Sequence, residues 1–189
     1  MKLEQWLQLD KLLVDSNIIS VGEFGLDLSK HTVCPLSVQK NVMLDFILAA
    51  KRHDRSMVLH LREAYSEGIE LLRNYSDRLA PMHFHCVQSD VSTMHEILQT
   101  FKNSYIGFTG AICSNNSHKL HKLAKQVPME RILLESDCPY FGLHGSRYST
   151  PHDIEEIGSE ISRLKNVNPR IVHEANLVNA SKMYKRHFE

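Results

Sequence analysis

The stretch RILLESDCPYF, residues 131–141, decides how the rest of the chain is read. Ile132, Leu133 and Leu134 run directly into Glu135 and Asp137, and the run stops at Pro139. A short, uninterrupted apolar run is the signature of a strand covered on both faces, as in parallel sheets. An unpaired carboxylate buried beside such a run is strongly unfavourable. The two charges therefore mark a strand end, either at a solvated loop or beside something positive.

Working outward, the same alternation recurs. Strand-like runs at 18–27, 56–62, 81–86, 105–111 and 131–137 are separated by amphipathic stretches at 38–54, 63–77, 90–103 and 117–127. Two further helices are expected at 152–167 and 169–188, the second with Pro169 in its first turn. In 38–54, Val42, Phe46, Ala49 and Ala50 share one face. Residues 1–22 read as an amphipathic helix leading into a strand. Five strand–helix units in succession predict an α/β fold with a parallel sheet under helical cover. There is no repeat, low-complexity tract or linker, so residues 1–189 read as one domain.

Composition narrows the function classes. The net charge is zero with His neutral, so contact with a phosphate backbone must be local. The opening residues do not read as a signal peptide, and no apolar run approaches the roughly 20 residues of a membrane span. Cys34, Cys86, Cys113 and Cys138 are widely spaced, which predicts free thiols and a cytoplasmic or nuclear setting. Glycine-rich phosphate loops and serine-nucleophile motifs are absent. The basic clusters KRHDR (51–55) and Lys119, Lys122 and Lys125 read first as solvated helix faces and second as substrate contacts.

The chemistry-bearing residues fall at strand ends. Glu23 lies near the C-terminal end of the first strand and His60 near that of the second, with His83 and His85 at the end of the third and Glu135 and Asp137 at the end of the fifth. In parallel α/β folds, functional groups collect at the C-terminal ends of strands, because the loops there are free to vary. Glu, His, His and Asp delivered to one rim make a divalent-metal ligand set. Each residue also has an ordinary reading: His60 as a hydrogen-bonded structural histidine, Glu23 as a turn carboxylate, Asp137 as a loop cap. Cys86 and Cys138 are expected to point away from the ligands and pack. His53, His95, His118, His121, His173 and His187 are expected on exposed helix faces.

The segments ISVGEFGLD, VLHLREA, MHFHC, YIGFTGAI, VPMERILLESDCPYF and ANLVNASKMY resemble, in order and spacing, the TatD family of metal-dependent deoxyribonucleases. The resemblance implies a TIM-type (β/α) barrel, a two-metal site of divalent ions, and phosphodiester hydrolysis of DNA. Matched by motif, Glu23 resembles the metal-bridging carboxylate, and His60 and His85 resemble metal ligands, with His85 matching the His-Cys step better than His83. Asp137 resembles the last ligand, which orients the attacking water and accepts its proton. Arg62 is placed to meet substrate phosphate. Zn, Mn or Mg would suit the carboxylate and imidazole set.

The chain also departs from the family pattern. No His-x-His strand precedes Glu23, Val87 follows the His-Cys step where the family has an aromatic, and Arg147 sits one place early in the last loop. Five strands cannot close a barrel that typically takes about 250 residues. The expectation is an N-terminally shortened domain whose barrel is open, with one metal ion possible where the family holds two. Its exposed edge could support self-association. A non-catalytic shortened isoform or fragment that binds metal or a partner is the competing expectation.

Overall fold

The computed structural model describes residues 3–114 and 116–185. After an opening helix, α1 (Leu3–Leu13), come β1 (Ser20–Asp27), α2 (Leu36–Arg52), β2 (Ser56–Arg62), α3 (Tyr65–Tyr75), β3 (Met82–His85) and α4 (Val91–Thr100). The chain continues through β4 (Ser104–Phe108), α5 (His118–Gln126), β5 (Ile132–Leu134), α6 (Ile154–Lys165) and α7 (Pro169–Met183). The five strands form one parallel sheet in chain order. That is the α/β architecture expected from the alternating pattern. His187 lies outside the described residues.

Alternation sorts each strand into two faces. Met57, Leu59 and Leu61 of β2 are buried in the main core with Phe84 of β3, Ile106 of β4 and Ile132 of β5. Helices supply Ile47, Ile69, Ile97, Leu123 and Ile157 to the same core. Burying each such side chain contributes about 1.5–3 kcal/mol. On α2 the fully buried face is Met43, Ile47, Ala49 and Ala50; Val42 and Phe46 are only half-buried.

The opposite face carries the polar strand residues and a small second cluster of Tyr105, Leu133 and Met183, with Ala180 and Tyr184 packed against it. Helix α7 takes part in both layers. Its Val172 lies in the main core and its Met183 in the second cluster, so it crosses the sheet beside β5. At that crossing Asn176 Oδ1 accepts from Leu134 N–H at 2.9 Å. Asn179 Nδ2 donates to the carbonyls of Ile132 at 2.8 Å and Met129 at 2.9 Å. Two asparagines thus satisfy backbone groups that a sixth strand would otherwise pair.

Local chemistry sets several helix ends. Asp90 caps α4 by accepting from Thr93 N–H at 2.8 Å, and Asn168 caps α7, with Pro169 at its first position. Three expectations need correction. Strand β5 ends at Leu134 rather than 137, because Glu135 N–H makes the last ladder bond to Phe108 and Asp137 then turns the chain at φ 50°. His53, His121 and His173 are half-buried, not exposed: His53 Nε2 sits 2.8 Å from Asp10, His121 Nε2 2.8 Å from the Ile112 carbonyl, and the His173 ring packs against Gly158. The basic cluster at 51–55 ties α1 down through Arg52–Asp10 (2.9 Å) and Arg55 to the Leu13 carbonyl (2.8 Å).

Candidate metal centre

Glu23 reaches the sheet's polar face through a bulge. Val21 pairs with Met57, but Phe24 pairs with Leu59, so β1 carries one extra residue at Gly22–Glu23. Gly22 makes this fit: at φ 155°, a Cβ there would stand 2.6 Å from the Val58 Cβ. The extra residue re-aims the Glu23 side chain, which is half exposed, toward β2 and β3.

The strand-end groups converge. Glu23 Oε2 lies 3.3 Å from His85 Nε2, and Glu23 Oε1 lies 3.8 Å from His60 Nδ1. Asp137 Oδ1 lies 3.5 Å from the same His85 nitrogen. The His60 and His85 rings are 6.0 Å apart. His60 Nδ1 is buried and has no hydrogen-bond partner. The ligand atoms of Glu23, His60 and His85 lie within 4.8 Å of one another, and so do those of His85, Cys86 and Asp137. Two carboxylates aimed at one imidazole nitrogen, beside an orphaned second imidazole nitrogen, fit a divalent cation.

Behind this set stands Glu135. Its Oε2 accepts from His85 Nδ1 at 2.6 Å, and its Oε1 accepts from the Cys86 backbone N–H at 2.5 Å. His83 Nε2 lies 3.3 Å from Oε2, near but off the line of a hydrogen bond. Burial opposes the Glu135 charge, but the two imidazoles outweigh it and hold the carboxyl down to about 2. Burial likewise pulls His85 down, yet its bond to Glu135 and the charges of Glu135, Glu23 and Asp137 lift it to about 9. Asp137 is raised, first by burial; His85 pulls it back, while Glu135 and Glu23 add to the rise. With its Nδ1 proton bound to Glu135, His85 presents Nε2 to Glu23 and Asp137, the carboxylate–histidine arrangement that orients metal-ligating imidazoles.

Room for Glu135 is made by Gly107 on β4. A Cβ there would collide with Glu135 Oε1 and stand 2.5 Å from His83 Nε2. Four residues at the rim hold left-handed backbone: Glu63 at φ 55°, Cys86 at φ 45°, Asp137 at φ 50° and Phe141 at φ 58°. Such conformations concentrate at functional sites.

A cleft of about 800 Å³ opens over the group. All five residues expected from the sequence, Glu23, His60, Arg62, His85 and Asp137, line it. Lys119, on an exposed helix face, lines it too, as do Tyr65, Tyr140 and Phe141. Cys86 does not point away as strand alternation predicts. It lies in the cleft, because its left-handed backbone breaks the alternation, and Cys138 is exposed rather than packed. The sequence reading assigned no role to Glu135, His83 or Tyr184. The available signal for Glu135 was the carboxylate that follows the apolar run.

The family model described as TatD related DNase matches residues 2–185. The uncharacterized metal-dependent hydrolase YabD of Bacillus subtilis is 24% identical over 182 residues, which cover 95% of this chain and 69% of that protein. The 3'-5' ssDNA/RNA exonuclease TatD of Edwardsiella piscicida is 34% identical over 133 residues, 70% of this chain and 50% of that one. Across the first curated relatives, the chain spans between 22% and 69% of their length. The crystal structure of YJJV, a TatD homolog from Escherichia coli, superposes with a TM-score of 0.88 at 21% identity, over 98% of this chain and 71% of that one. That likeness is one of fold.

Proposed function

Because the chain belongs to the TatD related DNase family, we propose that it is a metal-dependent hydrolase of the nuclease type, cleaving phosphodiester bonds of single-stranded DNA. The observation that carries the reading is the convergence of Glu23, His60, His85 and Asp137 on one cleft, from three strands and the loop after β5. Glu23, His60 and His85 would hold a divalent cation, Mn, Zn or Mg, with Asp137 beside it. The cation would supply Lewis acidity, making water more acidic and offsetting charge on a phosphoryl group.

The rest is work for the chain's own side chains. Glu135 fixes the His85 Nδ1 proton and leaves Nε2 free to ligate. Asp137 Oδ1 orients the attacking water and takes its proton; its raised carboxyl is a better proton acceptor than an ordinary aspartate. Arg62 and Lys119 meet backbone phosphates. The exposed rings of Tyr140 and Phe141 give bases a face to stack on, which suits single strands better than duplex.

One observation favours a second reading, a metal-binding module that does not hydrolyse. Among the described residues, only one of the two ligand trios holds two imidazoles, and both trios share His85. That geometry provides for one cation rather than two. Self-association through the sheet would have to displace Asn176 and Asn179 from β5, or Gln39 from Asp27 of β1. Among the described residues, no helix is long and apolar enough to cross a membrane.

The test titrates the purified chain with Mn²⁺, Zn²⁺ and Mg²⁺ and follows nucleotide release from single-stranded DNA and RNA, beside Asp137→Asn. Cation-dependent release that disappears in Asp137→Asn is the expected result. Cation binding without release at any concentration would establish the second reading.

A further inference from the structure

Tyr184 follows the last turn of α7 and sits on the polar face of the sheet, against Tyr105 and Leu133. Its hydroxyl lies 2.9 Å from His83 Nδ1. The other nitrogen of that ring, Nε2, faces Glu135 Oε2 at 3.3 Å. The same oxygen accepts from His85 Nδ1 at 2.6 Å. A continuous chain of polar contacts therefore runs from the end of α7 to the imidazole at the centre of the cleft. His83 is almost fully buried, and so is its Nε2.

The chemistry gives this chain a direction. Glu135 takes its two short bonds from N–H groups, His85 Nδ1 and the Cys86 backbone, so its oxygens act as acceptors. A neutral His83 ring suits that acceptor with its proton on Nε2, which leaves a lone pair on Nδ1. Tyr184 then donates its O–H to that lone pair. Burial and the nearby charge of Glu135 push the phenol up to about 12, so it keeps its proton to donate. With the wrong His83 tautomer, a lone pair would face the carboxylate at 3.3 Å and push it away from His85.

We propose that Tyr184 is a positioning residue for the candidate metal centre: by fixing the His83 tautomer it holds Glu135 in place, and through Glu135 it orients His85. The inference deepens the proposed function and rests on it for the role of His85. It also gives the end of α7 a task beyond packing.

The test uses Tyr184→Phe, which keeps the ring in its cluster and removes only the hydroxyl. Nitrogen-15 NMR of the imidazoles in metal-free protein reads the tautomers directly, whether or not a cation binds. The wild type is expected to hold His83 as its Nε2–H form, with His85 Nδ1 protonated. Tyr184→Phe should mix the His83 tautomers and shift the His85 signals. It should also weaken Mn²⁺ binding about 10-fold, the lower bound for partners behind a ligating histidine. His83→Leu should weaken binding too, and adding Tyr184→Phe to it should cost nothing further. Unchanged imidazole signals in Tyr184→Phe would overturn the proposal, as would an undiminished effect in the His83→Leu background. A wild type that shows the expected tautomers but binds no Mn²⁺ would instead refute the metal-site reading and leave the chain of polar contacts standing.

Discussion

Replacing Gly107 by alanine tests whether the buried carboxylate behind the cleft organises the site. The added methyl would stand 2.5 Å from His83 Nε2 and 2.7 Å from Glu135 Cδ, and would collide with Glu135 Oε1. Neither neighbour is a free chain end. Glu135 is held by Cys86 N–H and His85 Nδ1, and His83 by Tyr184. The carboxylate must turn out of place and lose its two short bonds. Hydrogen bonds to a charged group contribute about 1.5–3 kcal/mol each, so the expected loss is about 3–6 kcal/mol. At about 2.1 cal/mol/K per residue, the entropy of unfolding is roughly 0.4 kcal/mol per degree for a chain of this length. Gly107→Ala should then melt roughly 8–15 °C below wild type at pH 7 without metal. Mn²⁺ affinity should fall with it, since His85 loses its orienting partner. Gly145→Ala is the control: it sits at φ 79° with nothing within 4 Å of the new methyl. That change carries only backbone strain, about 1–2 kcal/mol, and should leave cation affinity alone. If Gly107→Ala melts no lower than Gly145→Ala, or keeps full Mn²⁺ affinity, the carboxylate does not organise the site.

Three further outcomes follow from the same geometry. His85 is lifted to about 9 from its ordinary 6.5, so its contribution to the metal-free fold is complete below pH 6.5 and is lost as pH rises through 9. A cation must displace that proton, so calorimetry at pH 7 in buffers of different ionisation enthalpy should register about one proton released, with affinity climbing up to pH 9; no release would refute the assignment of His85. Asn179→Ala leaves the Ile132 carbonyl unpaired and buried; it should cost about 1–3 kcal/mol and lower the melting temperature by several degrees in a thermal scan. Arg62→Ala should weaken single-strand binding uniformly across sequences and reduce the slope of log affinity against log salt by about one; an unchanged slope would place Arg62 away from phosphate.

The pattern of the chain carried the sheet and most of the rim. Parallel strands announce themselves by apolar runs, and a polar residue at the end of each run is conspicuous, so Glu23, His60, His85 and Asp137 could be read directly. Glu135 could not be understood the same way. Its partners are Cys86 and His85, 49 and 50 residues away on another strand, and nothing local encodes that pairing. The environment of Cys86 was misread because period-2 alternation assumes extended backbone, and this residue turns left-handed at φ 45°. The path of α7 was hidden for a related reason. Its buried residues fall on two stripes, Val172 for one face of the sheet and Met183 for the other, so no single amphipathic face marks which layer it belongs to.

The asparagines of α7 have a consequence for how copies of this chain could combine. Strand-by-strand stacking needs two open edges per molecule, one to receive and one to offer. Here Asn176 and Asn179 bond the Leu134 N–H and the Ile132 carbonyl of β5, and on β1 the Gln39 side chain bonds both the N–H and the carbonyl of Asp27. Side chains from the chain's own helices thus occupy part of both outer strands, and a copy that stacked on either would first have to displace them.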